Sequence, residues 1–227
     1  MNNRKYKVKI CGTTSVKDAQ MAVDAGADYL GVLVNVPISE RSNTIEQAKA
    51  IVDSSSIPSL TLLYNMTADE ICHIVDLINP YGVHLIGDVK IEIIKELKKI
   101  LKCKIWTTVY LPVKDQGEVD IDKIKIQMKE QEEAGADVIV IDTMSVTRYG
   151  GTGKTADWDI AKELIRQVQI PVFLAGGINP DNVREAILKV DPYGVDLASG
   201  VESSKCHRDP EKTNRLIEEV RKVEKEK

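Results

Sequence analysis

The chain has 227 residues, 43% of them hydrophobic and 29% charged, with a formal net charge of −4. That balance is ordinary for a globular protein with a sizeable core, and it offers no electrostatic reason to bind nucleic acid or an anionic membrane. The four cysteines, Cys11, Cys72, Cys103 and Cys206, lack C-x-x-C spacing, which argues against a zinc knuckle or a disulfide framework and fits a reducing compartment.

Polar Asn2-Asn3-Arg4-Lys5 leads into a strand predicted over 6–10. No apolar run is long enough for a signal peptide or a membrane span, so a cytoplasmic protein is expected. Seven more strands are predicted over 29–34, 59–64, 82–85, 104–110, 138–141, 172–175 and 194–198, each followed by a helical stretch. Helices are expected over 15–25 and 67–78, which open on the N-cap residues Ser15 and Thr67, and over 209–222, with Pro210 in its first turn. No linker rich in Pro, Gly or Ser divides the chain. The expectation is one domain over 1–227, with 222–227 a charged tail at the end of the last helix.

Internal repetition sharpens the fold. "AGADYLGV" from residue 25 matches "AGADVIVI" from 134, an offset of 109; "IPSLTLL" from 57 parallels "IPVFLAG" from 170, an offset of 113; "NPYGVHL" from 79 parallels "DPYGVDL" from 191, an offset of 112. Two similar halves of four β/α units predict an α/β fold of one kind, a single (β/α)8 TIM barrel with eight parallel strands. A doubly wound open sheet has no reason to show this half-length spacing.

In such barrels the chemistry sits in the loops at the C-terminal ends of the strands. The candidates there are Cys11, Asn35, Arg41, Asn65, Gly87-Asp88, Asp142, Gly176-Gly177 and Ser199-Gly200. Glycines after the last two strands let the backbone approach an anion closely, and phosphate is the usual anion at that place. Asp142 is expected to cap the apolar run "VIVI", where low-dielectric surroundings raise a carboxyl pKa and favour a proton donor. Its alternative is a loop-bracing acceptor; that of Cys11 is an inert buried thiol.

"RYGGTGKTADWD" at 148–159 imitates a phosphate-binding P-loop but fails it, because the opening glycine position is Arg148. Cys206-His207 is adjacent in sequence and reads as a surface loop. His73 lies on a helix face, and His84 sits in a short strand with a core-facing alternative. With no His/Asp/Glu cluster at metal-ligand spacing, no metal is expected.

Five segments together carry a resemblance: "KICGTTSVKDAQMAVDAGADYLGVLV" at 9–34, "SERSNTIEQAKAIV" at 39–52, "IDTMSVTRYGGTGKTADW" at 141–158, "FLAGGINPDNV" at 173–183 and "SGVESS" at 199–204. In order and spacing the chain resembles the phosphoribosylanthranilate isomerase family of tryptophan biosynthesis, from Lys9 to about Arg221. The resemblance implies an intramolecular oxidoreductase of the aldose–ketose class that performs an Amadori rearrangement. It implies Cys11 as general base, Asp142 as general acid and Arg41 as the contact to the anthranilate carboxylate. It also implies phosphate binding at Gly176, Gly177, Ser199 and Gly200, and a loop with Gly151, Thr152 and Gly153 that closes over the sugar phosphate.

An internal redox shift calls for no cofactor, and the expected partner is a small phosphorylated sugar-amine, with the protein a monomer or homodimer. The chain departs from the family at "GVLVNV" after the second strand, at "HLIG" over 84–87 and at Glu40, so an aromatic pocket around the amine is thinly provided for. Two alternatives stay open at this point: an isomerase of a different phosphoribosylamine, and a barrel that binds a phosphorylated ligand without turnover.

Overall fold

The computed structural model describes residues 5–113, 120–145, 148–149 and 157–226. Eight parallel strands alternate with eight helices: β1 (Lys7–Ile10), α1 (Val16–Ala25), β2 (Tyr29–Val34), α2 (Ile45–Ser54), β3 (Ser59–Tyr64), α3 (Ala68–Ile78), β4 (Gly82–Ile86), α4 (Ile91–Ile100), β5 (Lys104–Pro112), α5 (Ile121–Glu133), β6 (Val138–Ser145), α6 (Trp158–Ile165), β7 (Val172–Leu174), α7 (Val183–Val190), β8 (Gly194–Leu197) and α8 (Pro210–Glu226). Strands pair in chain order, and β8 returns to β1 through Lys7↔Gly194 and Ile10↔Leu197, which closes the barrel. A hairpin, Glu202–Ser204 with His207–Arg208, precedes α8.

The elements follow from local chemistry. Strands such as YLGVLV are buried on both faces, one packed under helices and the other inside the barrel, hence their continuous apolar runs. Thr44 and Thr67 each form a reciprocal capping box, with Gln47 and Glu70, and Ser15 accepts from the Asp18 amide to open α1. The expected bounds hold to within two residues except at two ends: α8 runs on from the expected 222 to Glu226, and pairing of β6 with β5 from Trp106↔Val138 to Pro112↔Met144 carries that strand on to Ser145. The acidic and basic residues after 221 continue α8, and Glu224 there accepts from the Tyr6 amide at 2.9 Å.

The sequence repeat is a conformational repeat. Asp28 accepts from the Val8 amide and Asp137 from the Ile105 amide, both at 2.9 Å, so each half anchors a strand start in the same way. Asn79 (φ 53°) and Asp191 (φ 54°) end α3 and α7 in the same left-handed turn.

Two cores result. A large one lies between strands and helices, and a smaller one fills the barrel with Leu60, Trp106, Val138, Val140, Phe173 and Ala175. The Trp106 and Phe173 rings pack tilted with centroids 4.7 Å apart, and Tyr29 meets Trp106 edge-on at 5.2 Å. The single phenylalanine and a tryptophan are therefore spent near the barrel floor, away from the C-terminal mouth.

Candidate active site

Alternation along β1 turns Lys9 and, just past its end, Cys11 into the barrel. Gly31 on β2 makes room for both, since a side-chain carbon there would lie 2.7 Å from Cys11 Sγ and 3.1 Å from Lys9 Nζ. Burial pushes the Cys11 thiol up, and the Lys9 ammonium is the strongest influence holding it down.

Lys9 is fully buried and donates to Asp196 Oδ2 at 2.6 Å. Its pKa stays above the ordinary value despite burial, because Asp196 and Cys11 favour the charged form. Lys9 Nζ also lies 3.3 Å from His84 Nδ1. Burial and the lysine hold His84 well below the usual histidine range, so its ring is neutral. Nδ1 facing an ammonium must accept, which leaves Nε2–H to donate to Thr108 Oγ1 at 2.8 Å. His84 therefore takes its core-facing alternative and belongs to the polar layer beneath the mouth.

Asp142 projects from within β6, and not from its end as expected; the strand continues through Thr143 to Ser145. Its Oδ1 accepts from the Thr143 amide at 2.7 Å. Burial pushes its pKa up to about 7, the Thr143 amide and Lys9 pull it down, and Asp196 adds to the rise. Cys11 and Asp142 thus share one pair of charged neighbours, Lys9 and Asp196.

Beside them, the loop after β7 holds Gly176 (φ 83°) and Gly177 (φ 68°) in the left-handed region. Asn182 Nδ2 donates to the Gly177 carbonyl at 2.9 Å and fixes that turn. Ser199 opens a 3₁₀ turn, Ser199–Val201, in which a side chain at Gly200 would collide with the Ile178 carbonyl; the two loops pack backbone to backbone. Gly151, Thr152 and Gly153 lie outside the described residues.

Arg41 lies over Gly12 and forms a two-point ion pair with Glu202, Nε to Oε1 at 2.7 Å and Nη2 to Oε2 at 2.6 Å. Arg208 Nη2 donates to the Cys11 carbonyl at 2.8 Å, which ties the hairpin to the end of β1. The remaining wall is aliphatic: Leu33, Val36, Leu62 and Ile86 cluster with Cys11, and Tyr64 is the aromatic member packed against them. Asn65 braces a loop by accepting from the Asp88 amide at 2.8 Å. Cys206 occupies the turn of the surface hairpin, and His73 is an exposed residue of α3. Among the described residues, no group of three His, Cys, Asp or Glu side chains can hold a metal ion, and no helix is long and apolar enough to cross a membrane.

Lys9, Asp196, Glu202 and Arg208 join the site only through the fold. The signal for the first two was present, as a lysine in "VKI" and an aspartate in "GVDL" at inward-facing positions of apolar strands.

The chain matches the family model described as N-(5'phosphoribosyl)anthranilate (PRA) isomerase over residues 8–219. It is 38% identical to N-(5'-phosphoribosyl)anthranilate isomerase of Methanocella arvoryzae, covering 95% of this chain and 98% of that one. With the enzyme of the same name from Aquifex aeolicus the identity is 37%, over 95% of this chain and 98% of the relative. The crystal structure of phosphoribosyl anthranilate isomerase from Thermotoga maritima superposes with a TM-score of 0.82 at 27% identity, covering 96% of this chain and 99% of that one.

Proposed function

This chain belongs to the N-(5'-phosphoribosyl)anthranilate isomerase family, and we propose that it acts by acid–base catalysis between Asp142 and Cys11 on a phosphoribosylamine whose amine is anthranilate. The reaction is the Amadori rearrangement of N-(5-phosphoribosyl)anthranilate to 1-(2-carboxyphenylamino)-1-deoxyribulose 5-phosphate. The observation that carries the assignment of roles is the shared Lys9–Asp196 pair, which lies within electrostatic reach of both a carboxyl and a thiol at one barrel mouth.

The chemistry needs a proton on the ribose ring oxygen while the amine lone pair forms an iminium. A carboxyl with a pKa of about 7 is substantially protonated at neutral pH and serves as that acid. Loss of the C2 proton then needs a base. The Cys11 thiolate is disfavoured by burial and favoured by the Lys9 ammonium, so the lysine is what makes the sulfur usable. Proton loss gives an enolamine that tautomerises to the ketose.

The left-handed Gly176-Gly177 turn and the Ser199–Val201 turn offer backbone amides to the phosphate. Leu33, Val36, Leu62, Ile86 and Tyr64 offer an apolar wall to the aromatic ring, with Arg41 beside it for the ring carboxylate. A reducing cytoplasm suits a mechanism that needs a free thiol. The histidine-pathway aminoaldose is a poorer match, since related enzymes for that substrate use two aspartates and the first position here is Cys11.

The test is consumption of phosphoribosylanthranilate followed by its fluorescence. Turnover by the intact protein, lost in Cys11→Ser and in Asp142→Asn, is the expected result. Turnover that survives both substitutions would overturn the assignment.

A further inference from the structure

The arginine beside Cys11 does not float at the mouth. A side-chain carbon on Gly12, whose φ is 71°, would collide with Arg41 Cδ and lie 3.3 Å from Nε, so the arginine lies flat on the backbone that follows Cys11. Cys11 is within electrostatic reach of the guanidinium. One edge of that guanidinium, Nε with Nη2, is filled by Glu202. Glu202 is itself buried, directly after the Ser199–Val201 turn, and its carbonyl accepts from Lys212 Nζ at 2.8 Å.

A guanidinium has five N–H donors in a plane, and a carboxylate on one edge leaves a parallel pair on the other. The Nη1 edge of Arg41 has no protein partner among the described residues.

We propose that Glu202 is a specificity-determining positioning residue, which fixes the plane of Arg41 so that its outer edge receives the carboxylate of the substrate's amine ring. This rests on the isomerase reading above. A buried ion pair by itself adds little net stability, because desolvation offsets the attraction. Two-point contact does fix orientation, which a long arginine side chain otherwise lacks. Arg208, a second buried guanidinium, has Glu202, Asp18, Cys11 and Arg41 as its titratable neighbours, so the Glu202 carboxylate offsets the positive charge of both arginines while bonding to Arg41 alone.

The experiment compares kcat/KM for N-(5-phosphoribosyl)anthranilate with that for N-(5-phosphoribosyl)aniline, which lacks the carboxylate. Wild-type protein is expected to prefer the first. Glu202→Gln keeps the side-chain shape but breaks one arm of the pair. It is expected to lower the preference by about tenfold, mostly through KM for the anthranilate substrate, in line with loss of one charge-assisted hydrogen bond. Glu202→Asp, which keeps the charge, should fall between and serves as the readout if the glutamine variant does not fold. A Glu202 with only a structural role would lower both substrates equally, and an unchanged ratio overturns the proposal. Equal wild-type rates on the two substrates overturn it as well. Wild-type protein that turns over neither removes the isomerase reading and the proposal with it.

Discussion

Leu33 on β2 and Asp142 on β6 occupy equivalent places in the two half-barrels, at the 109-residue offset of the repeat, yet one is part of an apolar wall and the other is the proposed acid. The same contrast recurs along the mouth. Tyr64 answers to Gly177 at the 113-residue offset, and Ile86 and Asp88 answer to Ala198 and Gly200 at the 112-residue offset. His84 and Asp196 are also equivalents, and both contact Lys9 Nζ. The halves share strand anchors and helix ends, while the side chains at the strand tips differ: in the proposed reading the first half brings Cys11, Arg41 and an apolar wall for the ring, and the second brings the Asp142 carboxyl and the glycine loops. A repeated scaffold can thus hold an asymmetric substrate through a few tip residues.

Exchanging a tip residue on one side should not resemble exchanging its equivalent. Asp142→Asn is expected to lower kcat by about 10²–10⁴-fold, the usual worth of a positioned proton donor, with little change in KM. Leu33→Ala, at the matching place, should act mainly on KM. Steady-state kinetics of the pair would separate them, and equal kcat losses would contradict the division.

His84→Asp makes the halves alike by setting a second carboxylate beside the single Lys9. One lysine cannot balance two buried carboxylates, and a loss of about 3 kcal/mol in urea unfolding is expected. His84→Gln, neutral and able both to accept and to donate, should cost under about 1 kcal/mol.

A smaller effect follows from the proton on Asp142. Its pKa is about 7 folded, against an ordinary value of 3.8, so the native state binds the extra proton between those limits. Wild-type stability therefore falls as pH rises from about 4 through about 7, and the full cost remains above that range. Solvent reaches part of Asp142, and its screening holds the cost to about 2 kcal/mol. Asp142→Asn should be more stable than wild type by that amount at about pH 8 and equal to it below about pH 4. Smallest of all, Gly177→Ala places a side chain at a φ of 68° and should weaken competitive inhibition by inorganic phosphate severalfold, at a strain of about 1 kcal/mol. Tyr64→Phe should leave phosphate inhibition unaltered.

The fold was legible because its signals are local: apolar runs make strands, Ser15 and Thr67 start helices, and repeated "AGAD" and "PYG" segments betray the halves. Cys11 and Arg41 could be picked out as loop residues after their strands. Lys9 is legible only as a charge at an inward-facing position of an apolar strand; its role depends on Asp196, 187 residues away, arriving on the neighbouring strand. The Arg41–Glu202 pair spans 161 residues and depends on the turn after β8. The end of β6 is hidden in the sequence for a related reason: its partner β5 is long, and pairing extends a strand past the point where its own apolar run stops.

On this reading the second half leaves Asp142, with a pKa of about 7, about half protonated at neutral pH, while Leu33 stands at its equivalent place. The most direct measurement is a carbon-13 NMR titration of the aspartate carboxyls in wild type and in Asp142→Asn. A resonance that titrates near pH 7 in the wild type and is missing from the variant is the predicted result. If the only signal lost on substitution titrates near pH 4, Asp142 is an ordinary carboxylate and cannot serve as the acid.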